Sequence, residues 1–308
     1  MMFPLIVSSC DIDGNHNEQG AYDFRNEINI LDLRNSNKVI AKGQDTKVIL
    51  NKNLVIFRDD DLYTIKFDGS NLFRITNFKS SIYSYDVTVN GEVVISFGQL
   101  YYVNYDGTNF RQLTTSKNDR EPHFSTKMDK IIFCRDGNIC MIDIDGTDFN
   151  YVVRHSDSTN LMKPHFIFSD KKIIYYETTN FNNVSLLHLY DLAMQKDTIL
   201  RQIWYGRDLD ISSDNRLLYL DYLLEYRVNI LDVLRNENRI LDLGQAASFS
   251  NDGSTILYSY VNEVYSIDVY GNNKKLIYTL NKYGVQIWHV YTSLSNDYII
   301  FENSPPSK

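Results

Sequence analysis

LYTIKFDGSNLFRIT (62–76), LYYVNYDGTNFRQLT (100–114) and ICMIDIDGTDFNYVV (139–153) align without gaps, 38 and 39 residues apart. In each, apolar and polar residues alternate up to an Asp-Gly pair, after which a second apolar strand begins. Alternation with period two is the mark of a half-buried strand. The glycines Gly69, Gly107 and Gly146 supply the positive φ that a tight turn needs. Weaker copies lie on both sides: INILDLRNSNKVI (28–40), LHLYDLAMQKDTI (187–199), VNILDVLRNENRIL (228–241) and VYSIDVYGNNKKLI (264–277). Together they make seven hairpins.

A second motif alternates with the first: a strand, a short polar turn, then an apolar strand. Its clear copies are PHFSTKMDKIIF (122–133), PHFIFSDKKIIY (164–175), LDISSDNRLLY (209–219), ASFSNDGSTILY (247–258) and YTSLSNDYIIF (291–301). KVILNKNLVIF (47–57) and YDVTVNGEVVISF (85–97) are degenerate copies. A unit of about 40 residues with four short strands is a propeller blade, and one blade cannot bury both of its faces alone. The fold expected is therefore an all-β, seven-bladed β-propeller spanning 27–303. The last inner pair (291–301) has no hairpin after it and the first hairpin (28–40) has no partner before it. The expectation is that they complete one blade, N-terminal outer strands pairing with C-terminal inner strands.

Composition agrees. Twenty-three Tyr and 16 Phe suit pleated surfaces. No sustained 3.6-residue period appears, and the best helix candidate, Leu189 to Leu200, is interrupted by Asp191 and Asp197. The formal net charge of −8, without a basic stripe, argues against nucleic acid as a partner. No run of 18 apolar residues offers a membrane span.

The chain starts MMFPLIVSSC (1–10), and Val7-Ser8-Ser9-Cys10 resembles the lipobox of bacterial lipoproteins, in which the Cys is acylated. The apolar stretch is shorter than a usual h-region of roughly 7–15 residues, and no Lys or Arg precedes it. On this reading 1–9 is a truncated lipoprotein signal, Cys10 the lipidation site, 10–26 a polar tether and 304–308 a tail. The membrane is then met only through that anchor, and the domain is expected to be a monomer in the cell envelope. The other two cysteines, Cys134 and Cys140, flank Asp136-Gly137. A two-residue loop there pairs Cys134 with Ile139 and points the two thiols to opposite faces, whereas a three-residue loop sets them opposite each other. The first arrangement, with free buried thiols, is the one expected.

Pro122-His123-Phe124-Ser125, Ile131-Ile132-Phe133, Arg135-Asp136-Gly137-Asn138, Asp143-Ile144-Asp145-Gly146 and Leu113-Thr114 resemble the TolB-type, WD40-like propeller repeat. Propeller domains of prolyl oligopeptidase and dipeptidyl-peptidase relatives carry it too. The sharp motifs cover only 60–175. The resemblance implies the fold and little about function. The chain is too short to add TolB's α/β domain or a peptidase's hydrolase domain, and no Gly-x-Ser-x-Gly occurs.

Chemistry-bearing residues are sparse. The histidines show no metal-ligand spacing. His123 and His165 occupy equivalent places within Pro-His-Phe and read as repeat residues on an innermost strand, the alternative being a metal shared between blades. Asp143–Asp148 lacks the further ligands of a calcium loop, and Arg58-Asp59-Asp60-Asp61 reads as a solvated hairpin tip. Neither a cofactor nor a metal is expected. The two tryptophans carry the binding expectation. Trp204, Tyr205, Arg207 and Asp208, then Gln245, then Trp288 and His289 fall where an outer strand leads to the next inner one. In propellers that is the axial face where ligands usually bind. Aromatic rings beside hydrogen-bonding groups suit a glycan or an envelope protein; the competing reading packs both Trp side chains between blades. A non-catalytic binding module is the function expected. The alternative is a carbohydrate-active lyase or hydrolase using the central channel; lyases of this shape hold a metal with His and Gln, for which His289 with Gln245 or Gln286 would have to serve.

Overall fold

The computed structural model describes residues 25–33, 37–78, 81–156, 158–179, 184–204, 207–222, 225–282, 284–293 and 297–304. Cys10, the signal, most of the 10–26 tether and Tyr205 lie outside them. In chain order the strands are β1 (Asn26–Asp32), β2 (Asn37–Ile49), β3 (Leu54–Asp59), β4 (Asp61–Lys66), β5 (Phe73–Arg74), β6 (Ser84–Val87), β7 (Glu92–Phe97), β8 (Gln99–Asn104), β9 (Arg111–Gln112), β10 (Asp119–Phe124), β11 (Lys130–Arg135), β12 (Asn138–Asp143), β13 (Asn150–Val153), β14 (Thr159–Ile167), β15 (Lys172–Thr179), β16 (Val184–Asp191), β17 (Lys196–Trp204), β18 (Arg207–Ile211), β19 (Arg216–Tyr222), β20 (Tyr226–Asp232), β21 (Glu237–Leu243), β22 (Ala246–Phe249), β23 (Thr255–Tyr260), β24 (Glu263–Asp268), β25 (Lys275–Thr279), β26 (Ile287–Thr292) and β27 (Tyr298–Asn303). The only helical element among the described residues is a 3-10 turn at Leu50–Lys52. The weak helix candidate around Leu189 is the end of β16 and the start of β17, as its broken apolar spacing suggested.

Five sheets have four strands in sequence order, and the sixth has seven, in the order β26-β27-β1-β2-β3-β4-β5. The large sheet divides within β2. Its first half pairs with β1, ending at Asn26↔Gly43, and its second half pairs with β3, starting at Gln44↔Arg58. Gly43 marks the division because a Cβ there would come within 2.5 Å of the Phe57 ring and 2.8 Å of Arg58 O. The two halves then face each other: Ile28, Ile30 and Ile300 from one pack on Val55, Phe57 and Ile65 from the other. Six further apolar clusters fill the seams between neighbouring sheets. Each fully buried Ile, Leu or Val there contributes about 1.5–3 kcal/mol. The chain ends meet as the repeat pattern required: β1 pairs antiparallel with β27 from Glu27↔Asn303 to Asp32↔Tyr298.

Repeat residues acquire physical roles. At Gly69, Gly107, Gly146 and Gly271 the glycine N–H closes a turn onto the residue three before it, which in turn donates to the residue after the glycine. This is the three-residue hairpin with a left-handed glycine. The threonine that ends the repeat works through its hydroxyl: Thr76, after Ile75, and Thr114, after Leu113, accept the N–H of Leu62 and Leu100, tying the outer strand's end to the third strand. Asp136 (φ 49°) and Gly137 (φ 75°) form a two-residue loop with Cys134 opposite Ile139. Cys134 and Cys140 are free and buried; burial pushes the Cys140 thiol up to about 12. At the tip expected to be solvated, Arg58–Asp61, Asp60 is exposed but Asp61 is not. Asp61 is 1% exposed and binds Arg74, the Thr76 hydroxyl and the Phe78 N–H. A buried carboxylate needs such donors, and the turn brings them to it.

Candidate functional site

Seven segments converge on one axial channel of about 980 Å³: the second half of β2, then β6, β10, β14, β18, β22 and β26. Five of these strands carry a bulge at the same level. The extra residues are Asp45-Thr46, Glu121-Pro122, Lys163-Pro164, Asp208 and Trp288. Asp45, Glu121 and Lys163 adopt φ near +50°, a region that non-glycine residues seldom occupy. Proline suits the second bulge position, since it has no N–H to leave unpaired.

The amides freed by the bulges are satisfied from other strands. Thr46 N–H donates to Glu302, Glu121 N–H to Ser84 Oγ (2.9 Å) and Lys163 N–H to Glu121 Oε2 (2.7 Å). A second tier works alike: Phe124 N–H donates to Asp86 Oδ2 (3.1 Å) and Phe249 N–H to Asp210 Oδ2 (2.7 Å). Side chains at the channel wall are thus fixed by the adjoining sheet, the preorganisation that a binding site requires.

One wall holds a connected polar chain. Lys47 Nζ lies 2.9 Å from Asp86 Oδ1 and 3.1 Å from Tyr85 O. Asp86 Oδ2 lies 3.5 Å from His123 Nδ1. The His123 and His165 rings stack at 3.7 Å, tilted by 33°, and His165 Nδ1 sits 3.0 Å from Lys163 O. Burial alone would raise the Asp86 pKa, but Lys47 and His123 outweigh it and hold the carboxyl well below its ordinary range. Burial, aided by His123, pushes His165 well below the usual histidine range, so that ring is neutral at neutral pH. Its contact with Lys163 O assigns the proton to Nδ1 and leaves Nε2 as an acceptor. On β18, the next innermost strand, Asp210 accepts from Phe249 N–H and Ile211 N–H, and burial raises its pKa despite both donors. His289 Nδ1 stands 3.3 Å from the fully buried Glu302.

The residues expected at the axial face are divided by the structure. His289 lines the channel, whereas Trp204, Gln245 and Trp288 are not among its described lining residues. Trp204 ends β17, 41% exposed, its N–H donating to Asp221 Oδ1 (3.1 Å). Gln245 accepts the Val261 N–H through Oε1 at 2.9 Å. Half-buried Trp288 is the extra residue of the β26 bulge, and Asp208, after Arg207, is that of β18. Sequence reasoning passed over Lys47, Asp86, Lys163 and Asp210. A signal existed: Asp86 in Tyr85-Asp86-Val87 and Asp210 in Leu209-Asp210-Ile211 hold equivalent positions in the second motif, and Glu121 and Lys163 both precede Pro-His-Phe. Among the described residues, no group of three or more His, Cys, Asp or Glu side chains is placed to hold a metal ion. No described helix is long and apolar enough to cross a membrane.

No family model matches the sequence, and no curated protein matches it. Solved structures do. The β-propeller domain of Cps50 (Swd1) from Myceliophteria thermophila superposes with a TM-score of 0.62 at 10% identity, covering 86% of this chain and 97% of that one. TolB from Acinetobacter baumannii gives 0.56 at 14%, over 93% of this chain and 66% of that one. An oligogalacturonate lyase in complex with manganese gives 0.57 at 10%, over 88% and 80%. At such identities the likeness speaks for architecture: the chain has the fold of the TolB-like and WD40-type β-propellers.

Proposed function

We infer that the chain is a seven-bladed propeller acting as a non-catalytic binding module of the cell envelope, recognising a glycan or a protein partner at the axial face. The seven-blade reading treats the seven-stranded sheet as two blades sharing β2, each half contributing an innermost strand to the channel. The observation that carries the binding reading is the locked wall, where half-buried carboxylates and bulge amides hold polar side chains toward an open cavity. Acylation at Cys10 would tether the domain through the polar 10–26 segment. Labelling cells with an alkyne fatty acid tests that: the label appears on the wild type and disappears in Cys10→Ser.

The binding test is a screen of glycans and envelope proteins against the whole chain, Trp288→Ala and Ser213→Trp, the last narrowing the channel from its exposed rim. A ligand lost in Ser213→Trp supports the channel. One lost only in Trp288→Ala moves the site to the aromatic position, and one unaffected by both refutes the axial reading. The second reading, a carbohydrate-active lyase or hydrolase, draws on the likeness to the oligogalacturonate lyase and on the stacked His123–His165 pair inside the channel. Stacked rings point their lone pairs side by side rather than at one point, an unfavourable arrangement for a shared metal. Turnover of any bound glycan, followed by reducing-end release, would favour this reading over the first.

A further inference from the structure

Two lysines are among the described channel-lining residues. Lys47 is occupied by Asp86 and the Tyr85 carbonyl. Lys163 is held only by its backbone, its N–H on Glu121 and its carbonyl near His165 Nδ1; its ammonium makes no hydrogen bond or ion pair with a described residue. The lining carboxylates, in contrast, all have partners. Asp45 meets Arg58, Asp86 meets Lys47, Glu121 receives the Lys163 N–H, and Asp210 receives two N–H groups. The unmatched lysine among the described lining residues is therefore a half-buried cation on a bulge with φ +50°, followed by Pro164.

An ammonium drawn partly out of water without an anion is costly, and a ligand anion offsets that cost. The charge balance selects the anion. One free ammonium matches at most one negative charge; with four carboxylates (Asp45, Asp86, Glu121, Asp210) against two lysines among the described lining residues, and a net charge of −8, a phosphate dianion is opposed. The rest of the site offers acceptors: the Nε2 of neutral His165, and Asp210 on the neighbouring strand β18 with lone pairs beyond its two amide donors. Acceptors want hydroxyl donors, and a channel of about 980 Å³ has room for a sugar.

We propose that Lys163, with His165 on the same strand and Asp210 on the neighbouring innermost strand β18, forms a subsite for a hydroxylated monocarboxylate, that is, a sugar acid. The proposal rests on the channel being the binding site. The test is calorimetric titration of the whole chain with glucuronate, glucose, glucose 6-phosphate and N-acetyl-dialanine. Glucuronate should bind at least about tenfold more tightly than glucose, the advantage of a charge-assisted contact, and more tightly than the other two. Lys163→Gln should erase the preference, Lys163→Arg should keep it, and both should melt like the wild type. Equal affinity for glucuronate and glucose overturns the proposal. So does tighter binding of the phosphate or the peptide acid, a preference that survives Lys163→Gln, or no binding of any probe. Binding that ignores Lys163 but is lost in Ser213→Trp removes this subsite and leaves the channel reading intact; binding indifferent to both removes both.

Discussion

Two stretches of this chain are near copies with different fates. Ile28-Asn29-Ile30-Leu31-Asp32 in β1 and Val228-Asn229-Ile230-Leu231-Asp232 in β20 share four of five residues. Each asparagine is buried, and each donates to the carbonyl two residues back: Asn29 to Glu27 O (3.1 Å), Asn229 to Arg227 O (3.0 Å). Each also accepts from an asparagine on the following strand, Asn37 at 3.0 Å and Asn238 at 3.2 Å. The local code is the same. The other neighbour differs. β20 lies beside β19, the strand just before it in sequence, whereas β1 lies beside β27 at the opposite end of the chain. Asn29 reaches Asn303 across a sequence separation of 274, against 9 for the Asn238–Asn229 bond. For a flexible chain, closing the longer loop costs about 3 kcal/mol more.

The ring-closing sheet answers with polar contacts between the chain's ends. Lys282 binds Glu27, Asn303 donates to Glu27, and Asn26 donates to Glu302, which also receives the Thr46 N–H. A seam that must assemble from distant segments is thereby specified by buried partners as well as by apolar packing, since a misregistered strand would leave those groups unsatisfied.

The largest effect is expected from deleting residues 1–33, which removes β1 and opens the ring. Circular dichroism melts should then lose the single cooperative transition; an unchanged melt would show that closure contributes nothing. Next comes Glu302. Burial alone would raise its pKa, but His289 and the Thr46 donors outweigh burial and lower it. A depressed carboxyl pKa stabilises the fold above the ordinary carboxylate range and stops doing so as pH falls through the folded value. Melts from neutral to acid pH should therefore fall less steeply in Glu302→Gln than in the wild type, and the variant should be less stable at neutral pH by about 1–3 kcal/mol. Parallel slopes would mean that the seam does not depend on this charge. The copies can be compared directly: Asn29→Ala and Asn229→Ala should each cost about 1–3 kcal/mol in urea titrations, Asn29 more, because it also loses Asn303. Equal losses would indicate that the contact across the chain ends adds nothing to the shared pattern. Trp204→Ala should change stability least, by no more than about 0.5 kcal/mol, since the side chain is exposed and no packing seam includes it. A larger loss would place Trp204 in the packing of β17.

Legibility followed the kind of interaction involved. Strand alternation, left-handed glycines and the two-residue loop at Asp136-Gly137 act over a few residues, so they appear in the sequence as patterns. Even the head-to-tail pairing was readable, because an incomplete unit at each end has one partner available. The candidate site was read less well. His289 and the Pro-His-Phe histidines are wall residues, whereas Trp204, Gln245 and Trp288 are not among the described lining residues. The side chains that organise the wall were overlooked because their partners lie on other sheets: Asp86 works through Phe124 N–H, and Glu121 through Lys163 N–H. The same reason explains Asp61, a charged residue at a turn that becomes buried once Arg74, Thr76 and Phe78 gather around it.

The sequence by itself determined the unit: four strands, a glycine turn, a threonine tie, and enough copies that they must stack in a ring to cover their apolar faces. Tertiary structure alone decided which polar groups face the axis and which are buried, because bulges in the innermost strands rotate side chains by amounts that alternation does not encode. Lys163 is the clearest instance. In sequence it is one lysine before a proline; in the folded ring it is a cation on the channel wall whose ammonium meets no described partner.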